Sequence, residues 1–191
     1  LSSWGLTGAA YTLIAARENA VYHIEAPKAQ FALRLHRKGY RTNDQLASEL
    51  KWMKAVSDGG LHVPAPIPTA THHLMQVING VQVDVLTWLD GETLDAALAR
   101  SDAKTRAAMF HTLGQNMARL HAISDAWQPP VGFTRCAWDS DGILGDAPLW
   151  DRFWDNPALT ADQRNLFEMF RQKARADLSE RAQNLDYGLI H

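Results

Sequence analysis

A single charged residue lies inside a short apolar run at residues 31–36, whose sequence is Phe-Ala-Leu-Arg-Leu-His. Large apolar side chains alternate with the others, which is the period of a β-strand, so Arg34 shares a strand face with Ala32. Glu49 follows on the inward side of a helical pattern, where a carboxylate without a partner would be costly to bury. We therefore expect an ion pair between Arg34 and Glu49. An edge strand whose Arg34 points into water is the simpler alternative.

The composition indicates an ordinary globular protein of 191 residues, enough for one domain or two small lobes. The net charge of -2 gives no basis for expecting a nucleic-acid partner or binding to a membrane surface. No apolar run approaches the roughly 20 residues that span a bilayer. The single cysteine, Cys136, excludes an internal disulfide framework and favours a reducing cytoplasm.

Five strands and one inserted helix are predicted in the first half of the chain. A capping box formed by Thr42 and Gln45 marks the start of the helix. Asn79 and Gly80 are typical of a two-residue type I′ hairpin turn between the last two strands. The final strand is nearly all apolar, so we expect it to be central in the sheet. The strands are predicted at residues 11–16, 21–25, 30–36, 74–78 and 81–88.

Near residue 90 the pattern changes from strand-like to helix-like. Helical spacing predicts a short helix at 93–100, a long helix that ends near residue 123, and a helix at 160–184 that opens with a second capping box. Residues 125–159 are predicted to be irregular. The expected organisation is an N-terminal lobe at 1–88, a hinge at 89–92 and a partial helical lobe at 93–191. The apolar helix faces are expected to be exposed, which would favour self-association.

Six short segments indicate a protein family through the order in which they occur, although each segment alone is a weak signal. They are residues 18–22, 31–36, 48–50, 87–94, 113–121 and 187–191. Together they resemble the aminoglycoside phosphotransferase and choline kinase superfamily, especially its bacterial homoserine-kinase-like branch. The resemblance implies an α+β fold of the protein-kinase type. It would have a five-stranded antiparallel N-terminal lobe with one helix, followed by an incomplete, mainly helical C-terminal lobe.

The resemblance also implies a role for individual residues in binding ATP. Glu18 and Asn19 would form the tip of the nucleotide loop, which lacks the glycines of protein kinases. Arg34 stands where most kinases have lysine, and Glu49 would hold it. Val21 and Ala32 would cover the adenine, and backbone groups of a hinge around Trp88 would bind it. The implied nucleotide-binding residues are Asn19, Val21, Ala32, Arg34, Glu49, Thr87 and Leu89.

At the end of the chain, His191 resembles the first residue of the H-x-D catalytic loop of the superfamily, where the histidine has a packing role. The catalytic Asp and the ligands of Mg²⁺ would then lie beyond residue 191. The implied reaction is transfer of a phosphoryl group from ATP to a hydroxyl of an aminoglycoside, homoserine, choline or a related amino alcohol. We expect the chain as it stands to be inactive. A non-catalytic module that binds nucleotide or a protein is the alternative.

Four tryptophans fall in the segment predicted to be irregular: Trp127, Trp138, Trp150 and Trp154. Some could line the acceptor site, where a Trp ring can hold an amine through a cation–π contact. Alternatively, the tryptophan rings pack against the helices and hold the irregular segment in place. No metal site is predicted within the chain, because the acidic stretch at residues 139–142 lacks the Glu that a calcium loop would need. That stretch is expected to be a polar turn.

Overall fold

The computed structural model describes residues 1–189, and the expected role of His191 falls outside them. Within that part of the chain, the architecture is α+β: a five-stranded antiparallel sheet with α-helices inserted in it and following it. The strands are β1 (Ala10–Ala16), β2 (Asn19–Ala26), β3 (Ala29–His36), β4 (Met75–Ile78) and β5 (Val81–Thr87). All five strands expected from the sequence are present.

The strands lie in the order β1-β2-β3-β5-β4. The middle strand is therefore β3. Strand β5, which we expect to be central, is an interior strand with a neighbour on each side, but it is not the middle one. Asn79 and Gly80 have φ angles of 51° and 74°, as a type I′ turn requires at both central positions. The hairpin prediction is confirmed, and its tight turn fixes the register of β4 on β5.

The helices are α1 (Asn43–Asp58), α2 (Leu94–Ala99), α3 (Ala103–Ala126), α4 (Ser140–Leu144) and α5 (Ala161–Arg181). Both predicted capping boxes are formed, at the starts of α1 and α5. The polar turn expected at residues 139–142 is wrong, because Asp139 instead accepts a hydrogen bond from the Gly142 N–H and caps α4. The segment expected to be irregular accordingly contains α4 and a short 3₁₀ helix at Phe153–Asp155.

One face of the sheet packs against the N-terminal residues. Trp4 is buried with Val83 and Val85, and its indole Nε1–H donates a 2.8 Å hydrogen bond to the Ile67 carbonyl. Burying an aromatic ring of this size contributes roughly 2–3 kcal/mol, and the hydrogen bond removes the cost of its polar edge. The N-terminal segment thus covers this face, and the opposite face is the one that carries Arg34.

Helix α1 lies on the Arg34 face, where its Glu49 contacts Arg34, and its Leu46 and Leu50 are fully buried. The side-chain amide of Gln82 on β5 holds the start of the helix against the sheet. It donates hydrogen bonds to the Arg41 carbonyl at 3.0 Å and to Asn43 Oδ1 at 2.8 Å. These contacts set where Glu49 can reach on the sheet.

The other side of α1 packs against α3. Trp52 lies with Val56 and Leu61 in a second apolar cluster, and the Trp52 indole N–H donates a 2.9 Å hydrogen bond to the buried Ser124 Oγ. A buried polar contact of this kind fixes the register between two helices as well as stabilising their packing.

The described chain separates into two compact units. The first comprises residues 1–134 with 188–189, and the second comprises residues 135–187. The lobes expected at residues 1–88 and 93–191, with a hinge at 89–92, stay a prediction. In the second unit, α5 exposes apolar side chains at Leu166, Met169 and Phe170. Among the described helices, none is long and apolar enough to cross a membrane.

Candidate functional site

The expected ion pair is present on the sheet face that carries α1. Arg34 extends from β3, and its Nη1 donates to Glu49 Oε1 across 3.2 Å. The Arg34 side chain is 16% exposed and that of Glu49 is 22% exposed, so both lie at the edge of the interior. This prediction from strand and helix periodicity is confirmed. An edge strand with Arg34 in water is excluded, because β3 is the middle strand of the sheet.

A second carboxylate, from Asp84, makes closer contacts with Arg34 than Glu49 does. Asp84 lies directly opposite Arg34 in the β3–β5 register and is 0% exposed. Arg34 Nε donates to Asp84 Oδ1 at 2.8 Å, and Nη2 donates to Oδ2 at 2.9 Å. This is the bidentate fork that gives an Arg–carboxylate pair both strength and a fixed orientation. His36 Nε2 lies 2.6 Å from Asp84 Oδ2 and completes the cluster.

These contacts outweigh the cost of burial for both charges. Burial acts most strongly on Asp84 and would raise its pKa. The hydrogen bonds from His36 and Arg34 and their charges reverse this, so the pKa of Asp84 lies below its ordinary value. Burial likewise acts to lower the pKa of Arg34, but the hydrogen bond and charge of Asp84 and the charge of Glu49 raise it. Arg34 and Asp84 are therefore a fixed ion pair at any ordinary pH.

Arg34 keeps hydrogen-bonding capacity after these contacts are made. A guanidinium has five N–H donors, and three of them are used by the two carboxylates. The two donors left are on the terminal nitrogens, and a phosphate group is a ligand that can accept both. Asp84 is inaccessible and fully engaged, so it does not fit a metal-ligand role. Within residues 1–189, no group of three or more acidic, His or Cys side chains could hold a metal ion.

Three of the predicted nucleotide-binding residues share the face of the sheet with Arg34. Val21 on β2 is the direct register partner of Arg34, and Asn19 is that of His36. Ala32 precedes Arg34 by two positions on β3 and therefore points the same way. Ala32 is paired in turn with Leu86 of β5, a buried residue that our sequence reasoning did not single out. The result is an apolar surface beside the guanidinium.

The expected nucleotide loop is short. Between β1 and β2 stand only Arg17 and Glu18, and the Arg17 N–H donates a 3.2 Å hydrogen bond to the Asn19 carbonyl. Glu18 is exposed at the tip of this turn, whereas Asn19 is already the first residue of β2.

The hinge predicted after β5 has part of its backbone already engaged. The Thr87 N–H donates to the Ala65 carbonyl at 2.8 Å, and the Thr87 hydroxyl accepts the Ala65 N–H at 2.9 Å. The Trp88 N–H donates to the Gln30 carbonyl at 3.3 Å, and the Trp88 ring stacks against His23 with a centroid distance of 4.1 Å. Leu89, the last of the residues implied for nucleotide binding, follows in irregular chain and is half-buried.

The four tryptophans divide into two kinds. Trp127 packs edge-on against Phe133 in the first unit, and buried Trp154 lies under the Arg171 guanidinium at 4.0 Å in the second. These two rings hold their segments in place by packing, which is the second of the two interpretations drawn from the sequence. Trp138 and Trp150 instead lie against each other with 5.9 Å between centroids and are 50% and 68% exposed.

Comparison with known proteins decides the family. The model of the phosphotransferase enzyme family known as APH matches residues 11–191, which is nearly the whole chain. The chain belongs to the APH phosphotransferase family. The resemblance inferred from the six sequence segments is thus confirmed. Two solved kinases superimpose on most of this chain, so the fold is kinase-like.

This phosphotransferase-family chain is also similar to individual proteins. A microcompartment-associated aminopropanol kinase superimposes with a TM-score of 0.71 at 29% identity, over 91% of this chain and 53% of that protein. Amicoumacin kinase hAmiN, solved with AMP-PNP, Ca²⁺ and Ami, gives a TM-score of 0.66 at 17% identity, over 93% of this chain and 49% of that kinase. An uncharacterized protein of Deinococcus radiodurans is 26% identical over 99% of this chain and 52% of its own length. The chain thus spans about half the length of these relatives.

The sequence reasoning missed Asp84, His36 and Leu86. A signal for Asp84 was available, because Gln82 and Asp84 alternate with valines in β5 and place two polar groups on one strand face. A carboxylate in the middle of such an apolar strand needs a cation nearby. Identifying that cation required knowing that β5 lies beside β3.

Proposed function

We propose that the protein transfers the γ-phosphoryl group of ATP to a hydroxyl group of a small molecule, and that the residues described here bind the nucleotide. The observation that carries this proposal is the Arg34 guanidinium, which two carboxylates hold in place while two of its N–H donors stay available. Membership of a phosphotransferase family supports the same reaction class.

Each residue of the site has a physical task in this proposal. Arg34 offers two donors and a permanent positive charge to phosphate oxygens, and Asp84 and Glu49 restrict its movement. Val21 and Ala32 offer an apolar surface to the adenine, and the Leu89 amide donates to its ring. ATP supplies the phosphoryl group, and Mg²⁺ is expected to neutralise phosphate charge. Residues 1–189 contain no group of three or more acidic, His or Cys side chains that could hold this ion. Catalysis of this type depends mainly on positioning and charge neutralisation.

For the acceptor, we propose an amino alcohol or a related amine-bearing compound. The support is the 29% identity with an aminopropanol kinase, together with the exposed Trp138–Trp150 pair, which is suited to an amine through cation–π contact. An aminoglycoside, homoserine or choline has the same combination of hydroxyl and amine. A cytoplasmic location, where ATP is available, belongs to this proposal, as does self-association through the exposed apolar face of α5.

The experiment is a survey of acceptors with the protein expressed from its complete coding sequence. ADP release in the presence of ATP and Mg²⁺ is measured for a panel of amino alcohols and for matched compounds in which the hydroxyl is replaced by hydrogen. We expect turnover with at least one amino alcohol and none with its deoxy analogue. ATP binding without turnover for any acceptor would instead favour the non-catalytic module. Absence of both binding and turnover would refute the nucleotide site.

A further inference from the structure

We infer that Asp84 is the residue that sets the orientation of the Arg34 guanidinium for the nucleotide phosphates, and that the helix residue Glu49 contributes less to it. This inference deepens the proposed function and rests on it. In the simpler scheme inferred from the sequence, a carboxylate on the helix holds the cation of the strand. Here the neighbouring strand supplies a closer and less exposed carboxylate.

The geometry of the two contacts differs. Asp84 accepts two hydrogen bonds from one edge of the guanidinium, at 2.8 and 2.9 Å, so it fixes both the position and the plane of that group. Glu49 accepts from the terminal nitrogen Nη1 at 3.2 Å, and this hydrogen bond by itself does not fix the plane of the guanidinium. Asp84 therefore constrains an orientation that Glu49 alone cannot constrain.

The supports behind the two carboxylates also differ. Asp84 is the register partner of Arg34 in the β3–β5 ladder, so backbone hydrogen bonds determine the separation of the two residues. Its Oδ2 is held in addition by His36, two positions beyond Arg34 on the same face. Glu49 reaches the guanidinium from α1, and any shift of that helix moves it. The cation is therefore anchored to the sheet and should stay in place when α1 moves.

Three variants separate the two roles: Asp84→Asn, Glu49→Gln and, as a control, Lys54→Met. Asparagine keeps the size of Asp84 but turns one acceptor into a donor, which opposes the Arg34 Nη2–H. We expect Asp84→Asn to raise the KM for ATP by roughly tenfold or more, because charge-assisted hydrogen bonds to a fixed cation are lost. The KM for the acceptor should stay near the wild-type value. Glu49→Gln should also raise the KM for ATP, but the fold-increase should be smaller than that of Asp84→Asn by a factor of about three or more.

Lys54→Met removes only the exposed Lys54–Asp58 ion pair on the helix that carries Glu49. It should leave the KM for ATP and the unfolding midpoint near their wild-type values, because an exposed pair contributes little to stability. If Glu49→Gln raises the KM for ATP as much as Asp84→Asn or more, the inference is overturned. The same conclusion follows if Asp84→Asn alters the two KM values equally. Thermal unfolding of each variant verifies that the assays are made on folded protein.

If Asp84→Asn does not fold, the Arg34 Nε–H NMR signal decides instead. In Glu49→Gln, this signal should stay sharp and protected from solvent exchange, because Asp84 still holds Nε. A broadened or rapidly exchanging signal in that variant would mean that Glu49 was the anchor, and the inference would fail. This measurement does not depend on turnover, so it tests the anchor even if the wild-type protein proves not to use ATP and the proposed function is rejected.

Discussion

Removing the Arg34 charge should destabilise the protein strongly, and removing the Asp84 charge as well should return part of the loss. Arg34→Met keeps much of the apolar length of the side chain but deletes all three hydrogen bonds to the carboxylates. Asp84 would then stay buried with His36 as its remaining polar contact in the cluster. The exposed fraction of Asp84 is 0%, so water cannot replace the lost partner.

The magnitude follows from the burial of the pair. Removing one partner of a buried ion pair costs about 3–5 kcal/mol, and the contact with His36 places Arg34→Met near the lower end of that range. In the double variant Arg34→Met with Asp84→Asn, the uncompensated charge is gone and an amide can still hydrogen-bond to His36. We therefore expect the double variant to be about 1–3 kcal/mol more stable than Arg34→Met alone.

Urea unfolding followed by tryptophan fluorescence measures these differences, and the buried Trp4 and Trp52 report on the unit that contains the pair. The matched control is Lys54→Met, which deletes the exposed Lys54–Asp58 pair on α1. That pair is open to solvent, so its loss should cost less than about 0.5 kcal/mol. If Asp84→Asn lowers the stability of the Arg34→Met protein further, then Asp84 does not depend on the Arg34 charge and the reasoning is wrong.

Three further predictions concern other contacts. First, the lowered pKa of Asp84 means that its stabilising effect is present above its ordinary pKa of 3.8 and is lost as the pH falls through the lower folded value. Urea titrations below pH 3.8 should therefore show a shallower loss of stability in Asp84→Asn than in the wild type. Second, Ser124→Ala leaves the Trp52 indole N–H unsatisfied in the interior and should cost about 1–3 kcal/mol. Trp52→Phe combined with Ser124→Ala should show non-additive losses in a double-mutant cycle. Third, Trp138→Ala should raise the KM for an amine-bearing acceptor and leave the KM for ATP unchanged, whereas equal changes in both would reject a role of this ring in acceptor binding.

The features that the sequence predicts well depend on interactions between residues close in the chain. The capping boxes at Thr42 and Thr160 involve residues three positions apart, and the Asn79–Gly80 turn depends on two adjacent residues that accept positive φ. Strand periodicity placed Arg34 and Ala32 on one face for the same reason. These local signals do not depend on how the strands are ordered in the sheet.

The contact with Asp84 could not be predicted in that way. Arg34 and Asp84 are 50 residues apart, and their pairing depends on β3 and β5 being neighbours with one particular register. A shift of one residue in this register would have turned Asp84 to the face occupied by Trp4.

The prediction of a polar turn at residues 139–142 was wrong for a different reason. The polar residues of this stretch favour both turns and helix N-caps, and in the structure Asp139 is the N-cap of α4.

The presence of Asp84 explains why arginine suits position 34 better than the lysine that most kinases carry there. A lysine ammonium has three donors on one atom, so it could not fill both Asp84 oxygens and Glu49 and still offer donors to a phosphate. Arginine separates the two tasks, because one edge of its guanidinium is held by Asp84 while terminal N–H groups stay available. The unusual cation and the buried carboxylate thus depend on each other. A strand register, which backbone hydrogen bonds fix, then determines where the positive charge lies.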